Sequence, residues 1–223
     1  MGILKNYPRI GKAVYRFQKR FLPNTLFKSS DSYWKERYKK GGNSGAGSYN
    51  NLAEWKGEIL NEFVKTNHVR TIIELGCGDG NQLTYFDFPR YTGIDISPDA
   101  IKLCKEKFGN DERKEFIIDS ELSNQTAELA ISLDVLYHLI EEDVYDAYLT
   151  KIFNLSSKFV ILYAFNSDSK ENYGPHVKPR KFTDWVEENR PDFKLMKHIP
   201  NKYPHEPGKE DTTSFADFYI FQK

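Results

Sequence analysis

Glycines and acidic side chains stand at the ends of successive apolar segments of this 223-residue sequence. The first segment ends in Glu74 and runs into Gly76-Cys77-Gly78-Asp79-Gly80, where glycines permit a tight turn and close approach of the backbone to a ligand. The second ends in Asp95, which lies 21 residues beyond Glu74. A carboxylate at that spacing commonly accepts hydrogen bonds from both hydroxyls of a ribose. The pattern predicts a nucleoside site.

The next two apolar segments end in acids as well. Asp119 ends the third and is placed to receive the amino group of an adenine, and Asp134 ends the fourth. Ordinary helix capping and surface solvation are the alternative explanation for these acids. Tyr137 and His138 follow Asp134, and imidazole is the side chain best matched to proton transfer near neutral pH. A histidine hydrogen-bonded to the backbone is the alternative for His138.

The elements that must position these residues are visible in the hydrophobic periodicity of residues 51–223. Short apolar runs alternate with amphipathic stretches, which predicts βαβ units. Strands are expected at 69–75, 91–95, 115–118, 127–135, 158–165, 193–199 and 214–221. The last two have no helix between them and should form an antiparallel hairpin. We therefore predict an α/β fold, doubly wound on a mostly parallel seven-stranded sheet, with ligands beyond the carboxyl ends of the strands.

Four segments together resemble the class I S-adenosylmethionine-dependent methyltransferases over roughly residues 55–223. They are IIELGCGDGNQL (72–83), YTGIDIS (91–97), FIID (116–119) and SLDVLYHL (132–139). The resemblance implies S-adenosylmethionine as cofactor. The residues it assigns to cofactor binding are Glu74, Gly76, Cys77, Gly78, Asp95, Ile96, Asp119, Ser120 and Asp134, with Gly80 in the same turn. The GxGxG spacing disfavours an NAD-type oxidoreductase, whose fingerprint is GxGxxG.

The residues after Asp134 bear on which atom accepts the methyl group. Methyltransferases that act on bases typically carry Pro-Pro-aromatic after this position, whereas here Val135-Leu136-Tyr137 follows. Thirty-two basic residues balance 32 acidic ones, which also argues against a nucleic-acid partner. We expect an O-methyltransferase for a hydroxyl, phosphate or carboxylate oxygen, with His138 and Tyr137 as catalytic residues and no metal. A non-catalytic cofactor-binding subunit of a partner enzyme is the alternative.

Two segments outside the fingerprint are candidates for binding the acceptor. Residues 41–49 hold four glycines between aromatic residues, which predicts a lid, with Tyr49 as a substrate contact; a flexible linker is the alternative. The polar stretch 166–185 contributes His176 and Arg180, although a solvated loop would look the same. Residues 33–56 further resemble small bacterial methyltransferases found with surface-polysaccharide biosynthesis genes, which implies a small-molecule or glycan acceptor.

Residues 1–50 form an N-terminal extension to the methyltransferase domain predicted at 51–223. Its basic first part carries Ile10, Val14, Phe17 and Phe21 at helical spacing. Such a helix would dock on the domain or make weak peripheral contact with an anionic membrane. The absence of a CxxC pair and of an apolar run of about 18 residues favours the cytoplasm. The sequence leaves the oligomeric state open.

Overall fold

The computed structural model describes residues 27–223. The helix predicted across residues 10–21 lies outside that range. The helices are α1 (Ser30–Lys39), α2 (Asn50–Thr66), α3 (Pro98–Phe108), α4 (Glu142–Asn154) and α5 (Phe182–Asn189). The strands are β1 (Ile72–Leu75), β2 (Tyr91–Asp95), β3 (Lys114–Ile118), β4 (Ala127–Leu133), β5 (Ser156–Ala164), β6 (Lys194–Ile199) and β7 (Asp217–Gln222).

All seven strands join one sheet in the order β3-β2-β1-β4-β5-β7-β6. Strands β1 to β5 are parallel, and β7 runs antiparallel to both β5 and β6. The predicted doubly wound sheet with a C-terminal antiparallel hairpin is therefore confirmed. The strand order reverses between β1 and β4, so a crevice opens there at the carboxyl ends of the strands.

Both faces of the sheet are covered, which is why the central strands are almost continuously apolar. On one face, Trp55, Leu60 and Phe63 of α2 pack with Phe159 and Phe218 of the sheet. On the other face, side chains of α4 and α5 pack against the sheet; they include Leu149, Phe153 and Phe182. Burying each of these side chains contributes roughly 1.5–3 kcal/mol. The two cores hold the strand ends in fixed positions.

The start of α3 links local helix signals to the site. Ser97 is the N-cap, since its side chain accepts a hydrogen bond from the backbone NH of Ala100 at 3.3 Å, and Pro98 stands in the first turn. The backbone NH of Ser97 in turn donates to the carboxylate of Asp95 at 2.9 Å. The cap therefore fixes the side chain at the end of β2 as well as the helix.

Residues 27–49 pack against the residues that follow β4. The hydroxyl and the backbone NH of Ser30 donate to the carboxylate of Glu141 at 2.6 and 3.0 Å. The backbone NH of Ile140 donates to the Ser30 hydroxyl at 2.9 Å. Helix α1 is thus fastened to the start of α4.

Within residues 27–223, no helix is both long enough and apolar enough to cross a bilayer.

Candidate active site

A cavity of about 730 Å³ opens at the carboxyl ends of β1 to β4 and is bordered by α1 and α4. Its volume is ordinary for a pocket that holds a cofactor. Eight residues predicted from the sequence line it, namely Gly76, Cys77, Gly78, Asp95, Ile96, Asp119, Ser120 and Asp134. We call it the cofactor cavity.

The glycine turn after β1 forms the floor of this cavity. Gly76 and Gly78 have φ values of 86° and 59°, in the left-handed region that favours glycine. A Cβ on Gly78 would lie 2.3 Å from the Ser44 hydroxyl oxygen, so this glycine also lets the N-terminal segment approach. Gly80 lies outside the cavity, where a Cβ would meet the Cys104 sulfur at 2.9 Å. Gly80 thus allows close packing of the turn against α3, and its place under the cofactor stays a prediction.

Asp95 combines burial with unused hydrogen-bonding capacity. Its two carboxylate oxygens accept one backbone NH each, from Gly78 and from Ser97, both at 2.9 Å. Burial raises the pKa of Asp95 to about 6, and the two backbone donors oppose that rise. Each oxygen retains a lone pair, so the carboxylate can accept two further hydrogen bonds. This is the acceptor set that a pair of ribose hydroxyls needs.

Asp119 lies at the end of β3 and is held from α4. Lys151 donates to both of its carboxylate oxygens at 2.8 Å, and the two side chains are partly exposed. Ile118 and Ser120 line the cavity beside it. An apolar side chain, a hydroxyl and a carboxylate with spare lone pairs together suit an adenine ring and its amino group.

Glu74 is placed differently from the prediction. It is fully buried beneath the turn, where it accepts hydrogen bonds from the Tyr91 hydroxyl at 2.5 Å and from the Gln82 amide at 3.1 Å. It lines neither of the cavities described here. Burial raises the pKa of Glu74 to about 7. Glu74 therefore supports the turn from below, and an indirect role near the cofactor stays a prediction.

A second cavity of about 340 Å³ adjoins the first, and we call it the acceptor cavity. Three residues line both cavities: Trp34, Ser44 and Asp134. The predicted residues Tyr137, His138 and His176 line the acceptor cavity. The structure therefore brings the two predicted catalytic side chains to the far side of Asp134 from the cofactor cavity.

Two groups of stacked rings line the acceptor cavity. In the first, the His176 ring stacks on Tyr33 at 5.0 Å and on His138 at 5.6 Å between centroids. In the second, the Phe215 ring stacks on His205 at 3.7 Å and on Phe165 at 4.8 Å. Aromatic faces next to imidazoles provide flat apolar surfaces together with hydrogen-bonding groups.

Asp134 occupies the junction of the two cavities in a constrained conformation. Its φ is 62°, which an aspartate tolerates better than most residues. The carboxylate accepts hydrogen bonds from the ammonium of Lys56 at 2.6 Å and from the hydroxyl of Tyr137 at 2.7 Å. Gly47 of the glycine-rich segment also packs here, because a Cβ on it would lie 2.5 Å from the carboxylate. Asp134 is thus held by Lys56 and Tyr137, with Gly47 packed closely against it.

Lys56 is a functional candidate that the sequence analysis missed. Its side chain is completely buried on α2, and its ammonium lies 4.8 Å from the centroid of the Tyr163 ring. A signal was present, because Lys56 stands four residues from both Leu52 and Leu60 on the apolar face of that helix. A lysine in such a position is seldom buried without a charged partner.

His138 is oriented by the backbone of the loop that follows β5. Its Nδ1 lies 2.8 Å from the carbonyl oxygen of His176. A carbonyl only accepts, so Nδ1 carries the proton and Nε2 of the neutral ring is left as an acceptor. Burial lowers the pKa of His138 to about 4, which keeps the ring neutral at physiological pH. The neutral ring thus has the acceptor nitrogen that a general base needs.

Two predicted substrate contacts lie outside both cavities. The Tyr49 hydroxyl donates to Asp79 at 2.7 Å. The Arg180 guanidinium donates to the carbonyl oxygens of Leu139 and Ile140 at 2.7 and 2.8 Å and to Glu142. Both polar groups are engaged by the protein itself and neither residue lines a cavity, and contact of these residues with a substrate stays a prediction.

The glycine-rich segment, residues 41–49, lies against the glycine turn. The backbone NH of Ser44 donates to the Asp79 carboxylate, and the backbone NH of Asp79 donates to the Ser44 hydroxyl, both at 3.0 Å. The amide of Asn81 donates to the carbonyl oxygen of Ser48 at 2.8 Å. These contacts put the segment over both cavities, and its opening as a lid stays a prediction.

Comparison with known proteins agrees with this geometry. Residues 73–155 match the model of a family described as a methyltransferase domain. That stretch runs from β1 to the end of α4 and includes Asp95, Asp119, Asp134 and His138. No curated protein sequence matches the chain.

Solved structures share the fold at low sequence identity. The N-methyltransferase NodS from Bradyrhizobium japonicum WM9, with bound S-adenosyl-L-homocysteine, is 12% identical with a TM-score of 0.68, over 88% of this chain and 99% of that one. Magnesium protoporphyrin IX methyltransferase from Synechocystis PCC 6803, with bound S-adenosylmethionine, is 14% identical with a TM-score of 0.61, over 87% and 97%. The methyltransferase domain of bacterial CtHen1 is 18% identical with a TM-score of 0.57, over 77% and 98%.

The domain match, the cavity at the switch point and the shared fold lead to one conclusion. The chain carries the domain of a methyltransferase, an enzyme that takes its methyl group from S-adenosylmethionine, and the solved structures show that it has the fold of such enzymes. The residues fit that cofactor, because Asp95 has free lone pairs for a ribose and the glycine turn leaves room for close backbone approach.

Proposed function

We propose that this methyltransferase transfers its methyl group to an oxygen atom of a small acceptor bound in the acceptor cavity. The observation that carries the proposal is that the two cavities share Asp134 in their linings, with His138 lining only the second of them. S-adenosylmethionine supplies an electrophilic methyl group on a sulfonium centre when it is bound. The protein has to orient the acceptor, exclude water and receive a proton.

The size and lining of the acceptor cavity favour a small ring-shaped acceptor with hydroxyl groups. A volume of about 340 Å³ suits a single ring rather than a polymer chain. Stacked aromatic rings offer flat surfaces, and Tyr137 and the histidines offer hydrogen bonds. Arg37 also lines the cavity and adds a positive charge that suits a phosphate or carboxylate on the acceptor, although its guanidinium already donates to Asn43 and Tyr33. A sugar or sugar phosphate meets these requirements, in line with the resemblance of residues 33–56 to enzymes of glycan biosynthesis.

The charge of the junction favours oxygen over nitrogen as the accepting atom. Lys56 and Tyr137 already engage the Asp134 carboxylate, so it is poorly placed to pair with a protonated amine. Neutral His138 instead receives the hydroxyl proton on Nε2 as the carbon–oxygen bond forms. The low basicity of the buried ring means that proton transfer must accompany bond formation rather than precede it.

An amine acceptor is the second candidate. The aromatic rings around the cavity would attract a cation through their π faces. In that case Asp134 would exchange its partner Lys56 for the substrate ammonium. Nucleic acid is a weaker candidate, because the net charge of the chain is zero.

The test is a labelling experiment with the full chain. Methyl-labelled S-adenosylmethionine is incubated with saccharides, nucleotide sugars and small phosphorylated sugars, each beside its amino-sugar counterpart. We expect label in a hydroxyl acceptor as an alkali-stable methyl ether, and none with the Asp95→Ala variant at low cofactor concentration. Label in amino sugars alone would contradict oxygen as the acceptor, and label in a short RNA alone would contradict a small-molecule acceptor.

A further inference from the structure

Lys56 places a positive charge directly beneath the junction of the two cavities. Its side chain is fully buried, and its ammonium is 2.6 Å from the Asp134 carboxylate. Lys56 lines neither cavity, so it acts on bound molecules through Asp134. Tyr137 also donates to that carboxylate, but a hydroxyl carries no charge. The charge balance at the junction therefore depends on Lys56.

The inference rests on the proposed function: with an acceptor bound in the acceptor cavity, the methyl group has to pass this junction. Trp34, Ser44 and Asp134 line both cavities, and Asp134 is the ionisable one among them. A carboxylate without a counter-ion there would attract the positive sulfonium of the methyl donor. Transfer of the methyl group removes that positive charge, so the attraction would stabilise the bound donor more than the transition state and would slow the reaction.

We propose that Lys56 is a positioning residue that holds Asp134 in place and cancels its charge at the junction of donor and acceptor. The carboxylate then keeps its contact with Tyr137 without binding the sulfonium tightly. A direct consequence is that Lys56 sets the relative affinity of the site for the charged donor and for its neutral product, S-adenosyl-L-homocysteine.

The proposal predicts that substitutions of Lys56 and of Asp134 change the relative affinity for donor and product in opposite directions. Lys56→Met removes the positive charge and leaves a similar chain length, so the ratio of the product Kd to the donor Kd should rise about tenfold. Asp134→Asn leaves Lys56 without a counter-charge and should lower the same ratio. Asparagine tolerates the left-handed backbone at this position, where φ is 62°. The double variant, which lacks both charges, should return the ratio to within about twofold of the unsubstituted protein.

Both dissociation constants are measured by calorimetry on the full chain, with S-adenosylmethionine and S-adenosyl-L-homocysteine as the probes. Lys65→Met is the matched control, because Lys65 is exposed near the end of the same helix. Lys56→Arg retains the charge and should restore the ratio. Thermal unfolding without ligand checks that each variant is folded.

An unchanged ratio in folded Lys56→Met would overturn the proposal, and so would an equal loss of affinity for both probes, because a lysine that only fills space would affect donor and product alike. If Lys56→Met does not fold, Asp134→Asn decides: a lowered ratio supports charge balance, and an unchanged or raised ratio refutes it. No acceptor is present in these measurements, so their outcome is separate from the test of oxygen methylation.

Discussion

The two cavities are built in different ways, although they share Asp134. The cofactor cavity is formed by consecutive strand ends, and its central carboxylate is fixed by backbone groups of Gly78 and Ser97. The acceptor cavity is formed by side chains from α1, the segment after β4, the loop after β5 and the residues before β7. The cofactor cavity is thus shaped by the backbone within a local pattern, whereas the acceptor cavity of the proposed function is shaped by ring-bearing side chains that the fold brings together.

The largest effect should separate turnover from cofactor affinity. His138 lines the acceptor cavity alone, so His138→Ala should lower kcat by about 10²–10⁴-fold with the acceptor found in the labelling test, while the Kd for S-adenosylmethionine changes less than about twofold. Steady-state kinetics and calorimetry measure the two quantities. His198→Ala, an exposed histidine on β6, is the control. Near-normal turnover in a well-folded His138→Ala protein would contradict the assignment of His138 as the group that receives the proton.

The second effect should fall on the other cavity. Asp95→Ala should weaken binding of S-adenosylmethionine by about 1–3 kcal/mol, or roughly 5–150-fold, because charge-assisted hydrogen bonds are lost. The acceptor KM at saturating cofactor should stay unchanged, since Asp95 does not line the acceptor cavity. Asp99→Ala, in the exposed first turn of α3, is the matched control. Tighter binding of NAD than of the methyl donor would contradict the cofactor assignment of this cavity.

A smaller effect concerns the segment over both cavities. Hydrogen bonds from Tyr49, Asn81 and Ser44 outweigh burial and lower the pKa of Asp79. Asp79→Asn removes the negative charge that strengthens these hydrogen bonds. Without ligand, proteinase K should then cleave residues 41–49 about 5–10-fold faster, which corresponds to a decrease of about 1 kcal/mol in the free energy of opening the segment. Cofactor and acceptor together should protect the segment. Equal cleavage with and without both ligands would argue against a lid.

The smallest effect is a pH dependence of opposite sign in the two cavities. The pKa of His138 is about 4, below its usual 6.5, so the unfolded chain binds more protons between those values and stability is lost as pH falls. The pKa of Asp95 is about 6, above its usual 3.8, so stability is lost as pH rises through that window.

Thermal unfolding at pH 5 and pH 7 tests these signs. We subtract the Tm of the unsubstituted protein from the Tm of His138→Gln at each pH. This difference should be about 2–4 °C higher at pH 5 than at pH 7, because the variant lacks the histidine whose protonation favours the unfolded chain. The relative Tm of Asp95→Asn should increase by a similar amount on going to pH 7. If the Tm differences of both variants changed in the same direction between pH 5 and pH 7, the two cavities would not have opposite pH dependences of stability.

The same contrast explains what could be predicted from the sequence. The strands follow periodic patterns, so the sequence places Asp95 correctly at the end of β2, and Asp119 and Asp134 directly after the last residues of β3 and β4. Phe165, Tyr173 and Phe215 meet only because the fold joins distant loops, and their spacing carries no signal. Tyr49 and Arg180 were predicted to contact substrate, but a polar group in a loop gives no indication of whether the protein itself already binds it, as it does here. Lys56 was detectable, as a charge on an apolar helix face.

The position of β7 between β5 and β6 has a consequence for the order of events during synthesis. Strand β6 leaves the ribosome before β7, yet it cannot join the sheet until β7 has paired with β5. Until then β5 presents an unpaired edge, and neighbouring apolar residues such as Ile161 and Tyr163 lack the cover that β7 provides. An unpaired, apolar edge strand of this kind can pair with strands of other chains and cause aggregation. We therefore expect nascent chains that stop before Asp217 to bind chaperones, even though their glycine turn and Asp95 are already synthesised.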